Sequence, residues 1–238
     1  MAGEKVALVQ RDEDTSQVVC GGSILNEYVI LTAAHCFKDG MFLLDPNRWT
    51  AIVGKNNLNK VSRTESIHGI QKMVVHDAYN NLTIANDVAL VILEDPVTYS
   101  DYVRPICLPA DVNSTAHIGQ VCYIAGFGDT RGGNDTALNQ VALPILNDLL
   151  CARRDWYGSA FVRETTFCAG YATGRKDACN GDSGGPMMCR IGNRWYQQGI
   201  ISWGYDCARP RWPGVYTDVP LYVNWIKRAA SLNGHPIS

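Results

Sequence analysis

Short apolar runs rich in β-branched residues recur along the chain, each cut off by Gly, Asn or Asp. Val6 to Val9, Ser23 to Leu31, Val88 to Leu93, Gln120 to Phe127 and Gln198 to Trp203 are the clearest. Runs of this length between turn-forming residues predict β-strands. One segment departs from that pattern: Leu221 to Ala230 sets Val223, Ile226 and Ala230 on one side of a helix. There are no internal repeats and no low-complexity tracts. The prediction is an all-β chain that closes with a helix.

Composition narrows the class. With 238 residues, 46% of them hydrophobic, there is enough chain to bury one large core or two small barrels. A net charge of −2 gives no sign of nucleic-acid or acidic-membrane binding. No apolar run approaches the roughly 20 residues that a membrane-spanning helix needs. Nine cysteines are more than a reduced cytosolic enzyme of this size carries, and they point to an oxidising compartment. A zinc site competes for them, but no Cys-x-x-Cys pair supports it, and the pairing cannot be read from spacing alone. Asn-x-Ser/Thr tripeptides at Asn81, Asn113 and Asn134 are glycosylation candidates consistent with a secreted route.

The candidate chemistry centres on Asp177-Ala-Cys-Asn-Gly-Asp-Ser-Gly-Gly-Pro186. Glycines on both sides of Ser183 let backbone N–H groups approach a substrate carbonyl, although the same spacing also suits a plain turn. A serine hydroxyl becomes a nucleophile only beside a base, usually a histidine oriented by a buried carboxylate. Of five histidines, His35 follows the apolar run Ile30-Leu-Thr-Ala-Ala, where small residues leave room around the ring. His68, His76, His117 and His235 have polar, solvent-like sequence neighbourhoods. Asp87 opens Asn86-Asp-Val-Ala-Leu-Val-Ile-Leu93, so apolar that the acid is drawn partly inside and needs a donor there. Taken singly, His35 reads as an ordinary surface or core histidine and Asp87 as a strand-edge turn residue.

Together these segments are specific. Ala33-Ala-His-Cys36, Asp87-Val-Ala-Leu90 and Gly181-Asp-Ser-Gly-Gly-Pro186 resemble the three signature segments of the trypsin-like serine proteases, in that family's order. The likeness continues through Cys20-Gly-Gly-Ser23, Arg104-Pro-Ile-Cys-Leu-Pro109, Gly126-Phe-Gly128, Ser202-Trp-Gly204 and Pro213-Gly-Val-Tyr216, and so covers nearly the whole chain. It implies two six-stranded antiparallel β-barrels, one about residues 1–105 and the other about 118–220. A C-terminal helix at about 221–231 follows, and the active site lies in the cleft between the barrels.

The resemblance also assigns roles. Ser183 is the nucleophile, His35 the general base, and Asp87 the orienting acid, with the N–H groups of Gly181 and Ser183 as oxyanion hole. Asp177 becomes the acid at the base of a specificity pocket walled by Ser202, Trp203, Gly204 and Gly214, which implies cleavage after arginine and lysine. Ala178 lacks the hydroxyl that many relatives offer to a lysine ammonium, which favours arginine. Asp206 is an extra carboxylate at the entrance, where it either favours basic substrates or faces solvent. Lys55 replaces the first acid of a loop, ending at Glu65, that binds calcium in some relatives, so no metal and no cofactor are expected. The implied disulfides are Cys20–Cys36, Cys122–Cys189, Cys151–Cys168 and Cys179–Cys207.

Cys107 is then unpaired, and in multidomain relatives the corresponding cysteine bridges to a segment upstream. The Ile-Val-Gly-Gly start, whose ammonium pairs in the family with the acid matching Asp182, is also missing. The expectation is a fragment of a larger zymogen, extracellular or on the outer cell surface, with Asp182 lacking its cation and the site left zymogen-like. Expected partners are substrates bearing arginine or lysine, trypsin-directed inhibitors, and the precursor's own upstream domains through Cys107. Loops Phe37 to Trp49 and Thr130 to Thr136 would select among protein substrates. A catalytically silent binding homologue is the alternative, and a cysteine-rich metal-binding or structural protein ranks behind it.

Overall fold

The structure is a computed structural model that describes residues 3–11, 15–37, 44–130 and 136–237. Its strands are β1 (Lys5–Arg11), β2 (Ser16–Ile24), β3 (Val29–Thr32), β4 (Trp49–Val53), β5 (Ser66–Val75), β6 (Ala89–Leu93), β7 (Val121–Gly126), β8 (Asn139–Pro144), β9 (Thr166–Ala169), β10 (Pro186–Ile191), β11 (Arg194–Trp203) and β12 (Gly214–Asp218). The first six form a closed antiparallel barrel in the order β1-β2-β3-β6-β5-β4. The second six form a sheet in the order β8-β7-β10-β11-β12-β9. Its ends meet just beyond β8, where the Leu146 N–H donates to the Cys168 carbonyl at 2.9 Å and the Gly170 N–H to Pro144 at 3.0 Å. These bonds bring the second sheet round toward a barrel as well. The expected pair of six-stranded barrels is what the chain forms.

The first barrel is filled by Leu8, Ile24, Ile30, Leu31, Leu90 and Ile92, all fully buried. Five successive buried positions, Lys5 to Val9, show that both faces of β1 are covered, since neighbouring residues in a strand point opposite ways. The run Ser23 to Leu31 is two strands rather than one. Asn26 breaks it, its side-chain oxygen accepting from the N–H groups of Tyr28 and Val29 at 2.9 Å each, and the chain reverses there. His68 is also corrected: it lies on β5 at 8% exposure, its Nε2 2.8 Å from Ser66 Oγ, rather than in a solvent-like setting. His76 packs against Tyr222 and Trp225, and His235 stacks on Tyr28.

The two halves are stitched by polar contacts as well as by packing. The segment between β6 and β7 bonds to both, with the Ile106 N–H donating to Ile24 and the Gln197 N–H to Cys107, each at 2.9 Å. Ser23 Oγ donates to Gln197 Oε1 at 2.6 Å in a buried setting. A 3₁₀ turn, Val219–Tyr222, carries Pro220 in its first turn and delays the final helix, α2 (Val223–Leu232). The buried side of α2, including Ile226 and Ala230, joins the core of the first barrel. The last element of the chain thus clamps the first half. Disulfides join Cys20 to Cys36, Cys122 to Cys189, Cys151 to Cys168 and Cys179 to Cys207.

Replacing Leu8 by Ala opens a cavity in the closed first barrel. The expected loss is about 2–5 kcal/mol of unfolding free energy, read from denaturant titration of the oxidised protein.

Candidate active site

β3 delivers the chain into the 3₁₀ turn Ala34–Phe37, which carries His35, and Cys20–Cys36 staples that turn to β2. β6 pairs with β3 through Thr32 and Ala89, so the residue two before β6, Asp87, arrives beside the turn. Asp87 is completely buried. Its Oδ1 accepts from the His35 N–H at 2.8 Å, and its Oδ2 lies 2.7 Å from His35 Nδ1. A carboxylate can only accept, so the ring proton belongs on Nδ1 and Nε2 is left as the basic nitrogen. Ser202 Oγ donates to the same Oδ2 at 2.5 Å, and Thr217 Oγ1 donates to the Asp87 carbonyl at 2.8 Å. Ser202 and Thr217 lie on β11 and β12, so the acid from the first barrel is finished by donors from the second.

Ser183 sits on the loop between Cys179 and β10. Its carbonyl accepts from the Gly21 N–H at 2.6 Å. Gly184, at φ +77°, fits so closely that an added Cβ would stand 2.3 Å from Thr32 Oγ1 and 2.6 Å from the Gly21 carbonyl. This contact brings the serine loop against the strand that leads to His35 and explains the glycine physically. Among the described residues, Ser183 Oγ makes no hydrogen bond, and the N–H groups of Gly181 and Ser183 have no acceptor. N–H groups without an internal acceptor are open to an oxygen brought from outside.

A cleft of about 230 Å³ is lined by Ser183, Ser202, Trp203, Gly204 and Gly214, together with Asp177 and Ala178. Asp177 Oδ1 accepts from the Ala178 N–H at 2.9 Å and Oδ2 from the Ala208 N–H at 3.1 Å. Burial pushes its pKa up to about 6, with the charge of Asp182 adding to the rise, while the N–H groups of Ala208, Ala178 and Gly214 pull the other way. A Cβ on Gly214 would meet Asp177 Oδ1 at 2.8 Å, whereas one on Gly204 meets nothing nearer than 3.6 Å. The glycine at 214 makes room for the acid, and the one at 204 keeps the wall open. Asp206 is exposed at the rim, its Oδ2 3.7 Å from Arg209 Nη1.

Two tyrosines escaped the sequence reading. Tyr216 is wholly buried, and its hydroxyl has no hydrogen-bond partner among the described residues although it reaches the same flank of Gly214 as Asp177. Tyr157 donates to the Pro213 carbonyl at 2.5 Å and packs edge-on against Trp203, fixing the segment that forms one pocket wall. Tyr216 was visible only as part of a motif. Tyr157 lies in a stretch without any.

Asp182 turns inward. Its Oδ1 accepts from the Gly128 N–H at 2.9 Å and its Oδ2 from the Cys179 N–H at 3.0 Å, between two glycines that a side chain would drive into the carboxylate. Lys55 Nζ lies 2.9 Å from Glu65 Oε2, so an ammonium already neutralises that acid. Ligand-capable atoms of Cys20, His35 and Cys36 lie within 4.8 Å of one another, but sulfurs bonded to each other are not thiolates and cannot ligate a metal. Cys107 is half-buried and unpaired among the described residues. Asn81 and Asn113 are exposed, and Asn134 falls outside the described residues, as do parts of both presumed selectivity loops.

Residues 3–226 match the protein-family model described as Trypsin.

A buried acid whose pKa is raised destabilises the fold once it ionises. Its folded-state value, about 6, exceeds the usual carboxylate value of 3.8, so the native state holds the extra proton and stability falls as pH rises between them. Asp177→Asn is expected to flatten this slope and to gain about 1–3 kcal/mol at pH 7–8, measured by denaturant unfolding across pH 4–8.

Proposed function

Because this chain belongs to the trypsin family of serine proteases, we propose that it hydrolyses peptide bonds after arginine, and less readily after lysine, through an acyl-enzyme. The observation that carries this reading is Asp177, an acid that lines the same cleft as Ser183. A partly desolvated carboxylate that, among the described residues, accepts from backbone N–H groups alone is completed by a cation from outside. An arginine side chain offers two parallel donors to it. A lysine ammonium needs further acceptors, and Ala178 provides no hydroxyl.

In the proposed reaction, Ser183 Oγ attacks the scissile carbonyl carbon as His35 Nε2 takes its proton. The hydrogen bond from His35 Nδ1 to Asp87 holds the ring in the tautomer that makes Nε2 the acceptor, and it stabilises the imidazolium that forms. Negative charge on the former carbonyl oxygen is met by the N–H groups of Gly181 and Ser183. Breakdown breaks the C–N bond, the His35 proton leaves with the amine, and an ester to Ser183 remains. Water then attacks that ester by the same relay, releasing the acid and regenerating the hydroxyl. Among the described residues Ser183 Oγ has no partner, which suits a contact that tightens only when substrate excludes water.

The wider setting follows from the same reading. Four disulfides fit extracellular work. Trypsin-directed inhibitors that present arginine or lysine are natural partners. Cys107 would serve as the attachment point for upstream precursor domains, and exposed Asn81 and Asn113 as sites for glycan. A silent binding role finds no support, since none of the proposed reacting groups has been replaced.

Ser183→Ala is expected to lower kcat on an arginine peptide amide by at least roughly a thousandfold, and amidase activity equal to the parent's would refute the assignment. Matched arginine and lysine amides should differ by about 0.5–1.5 kcal/mol in transition-state binding in favour of arginine, and Ala178→Ser should narrow the gap. Affinity for a small guanidinium compound, followed by calorimetry, should rise with pH through about 6 and then level off as Asp177 becomes fully ionised.

A further inference from the structure

Lys5 opens β1, opposite Ser23 of β2, and is only 4% exposed. An ammonium placed this deep requires an anion. Asp182 is the acid whose charge acts on it. The position of a Cβ on Gly126 lies 3.2 Å from Lys5 Nζ and 1.7 Å from Asp182 Oδ1, so cation and carboxylate share the flank of one glycine. The same position on Gly185 lies 2.8 Å from Lys5 Nζ and 2.9 Å from the Asp182 carbonyl. Glycines at 126 and 185 therefore clear the space through which the first strand reaches the serine loop.

We propose that Lys5 is a positioning residue whose buried ammonium is the counter-charge for Asp182, holding that side chain inward and thereby setting the N–H groups of Gly181 and Ser183. The proposal rests on the reading of those N–H groups as oxyanion donors. Asp182 immediately precedes Ser183, and its carboxylate is anchored through Gly128 and Cys179 on either side of the loop. Rotation of Asp182 outward would carry the flanking peptide groups with it. The sequence-based expectation left this acid without a cation, and the fold supplies one from within its first strand.

The titratable groups around the ammonium are few. Asp182 faces it from the serine loop, Glu4 precedes it in the chain, and the charge of Asp182 acts in turn on Asp177 and Tyr216. Burial lowers the Lys5 pKa to about 8, with Asp182 opposing the fall. Loss of that proton would free Asp182 as pH rises above about 8. Stability moves the other way for this group. The unfolded state holds the proton up to about 10.5, so deprotonation in the native state favours the fold between the two values. An alkaline loss of activity without loss of stability is the signature.

The experiment compares the parent chain with Lys5→Met, Lys5→Gln and Lys5→Arg by amide hydrogen exchange at Asp182, Gly184 and Gly185, whose N–H groups are hydrogen-bonded in and around the serine loop, and by kcat and KM on an arginine peptide amide between pH 6 and 10. Met and Gln should speed exchange at these amides, and lower kcat more than they raise KM, each by about tenfold or more at pH 7. They should also erase the alkaline limb near pH 8, while Arg keeps the neutral-pH values and moves the limb upward. Exchange and kcat within about twofold of the parent for Met or Gln, with the limb unmoved, would overturn the proposal. If those variants do not fold, the parent decides alone: exchange at Asp182, Gly184 and Gly185, relative to β6 amides, must accelerate above pH 8, and a constant ratio refutes the role of Lys5. A parent that exchanges as described but cleaves no arginine amide would refute the protease reading and leave the counter-charge standing.

Discussion

The buried carboxylate of Asp87 is the contact on which the two halves of the molecule agree. A fully desolvated acid is tolerable only with several donors. Here the first barrel supplies the N–H and ring of His35, and the second supplies Ser202. Neither barrel could satisfy the acid alone. The requirement fixes the barrels against each other, fixes the imidazole tautomer, and leaves Nε2 directed away from Asp87. Thr217, bonding to the Asp87 carbonyl, locks the same junction through the backbone.

The serine loop obeys a second constraint, that of close approach. Gly184 lies against Thr32 and Gly21, Gly214 against Asp177, and Gly126 and Gly128 against Asp182. In each case a Cβ would strike a polar atom that the site needs. The glycines are less a matter of loop flexibility than of clearance, and they let two carboxylates and a cation share a small volume behind one serine. The charge of Asp182 adds to the cost of ionising Asp177, and the two proposed cations act one on each side: a substrate side chain at Asp177 and Lys5 at Asp182.

Much of this was legible in the sequence because the signals were local. The runs at Val88 to Leu93 and Gln120 to Phe127 became β6 and β7 with their ends shifted by about one residue. Signals that depend on distant partners were not legible. Asn26 divides an apolar run by capping a turn with its side chain, and His68 is buried by a fold whose polar sequence neighbours gave no hint of it. Strands such as β5 and β8 mix polar and apolar residues because one face meets solvent, and they lacked a clean pattern. Lys5 illustrates the limit best. A lysine at the start of a strand looks like a solvated charge until the fold closes over it and brings Asp182 from the other end of the chain.

The central claim is that Asp177 selects a cationic side chain for attack by Ser183. It is tested most directly by labelling with a pair of serine-directed phosphonate probes, one carrying an arginine side chain and one a phenylalanine, followed by mass spectrometry of the labelled peptide. The account predicts stoichiometric labelling of Ser183 by the arginine probe alone, lost in Asp177→Asn. Equal labelling by both probes, or arginine labelling that survives Asp177→Asn undiminished, would contradict it.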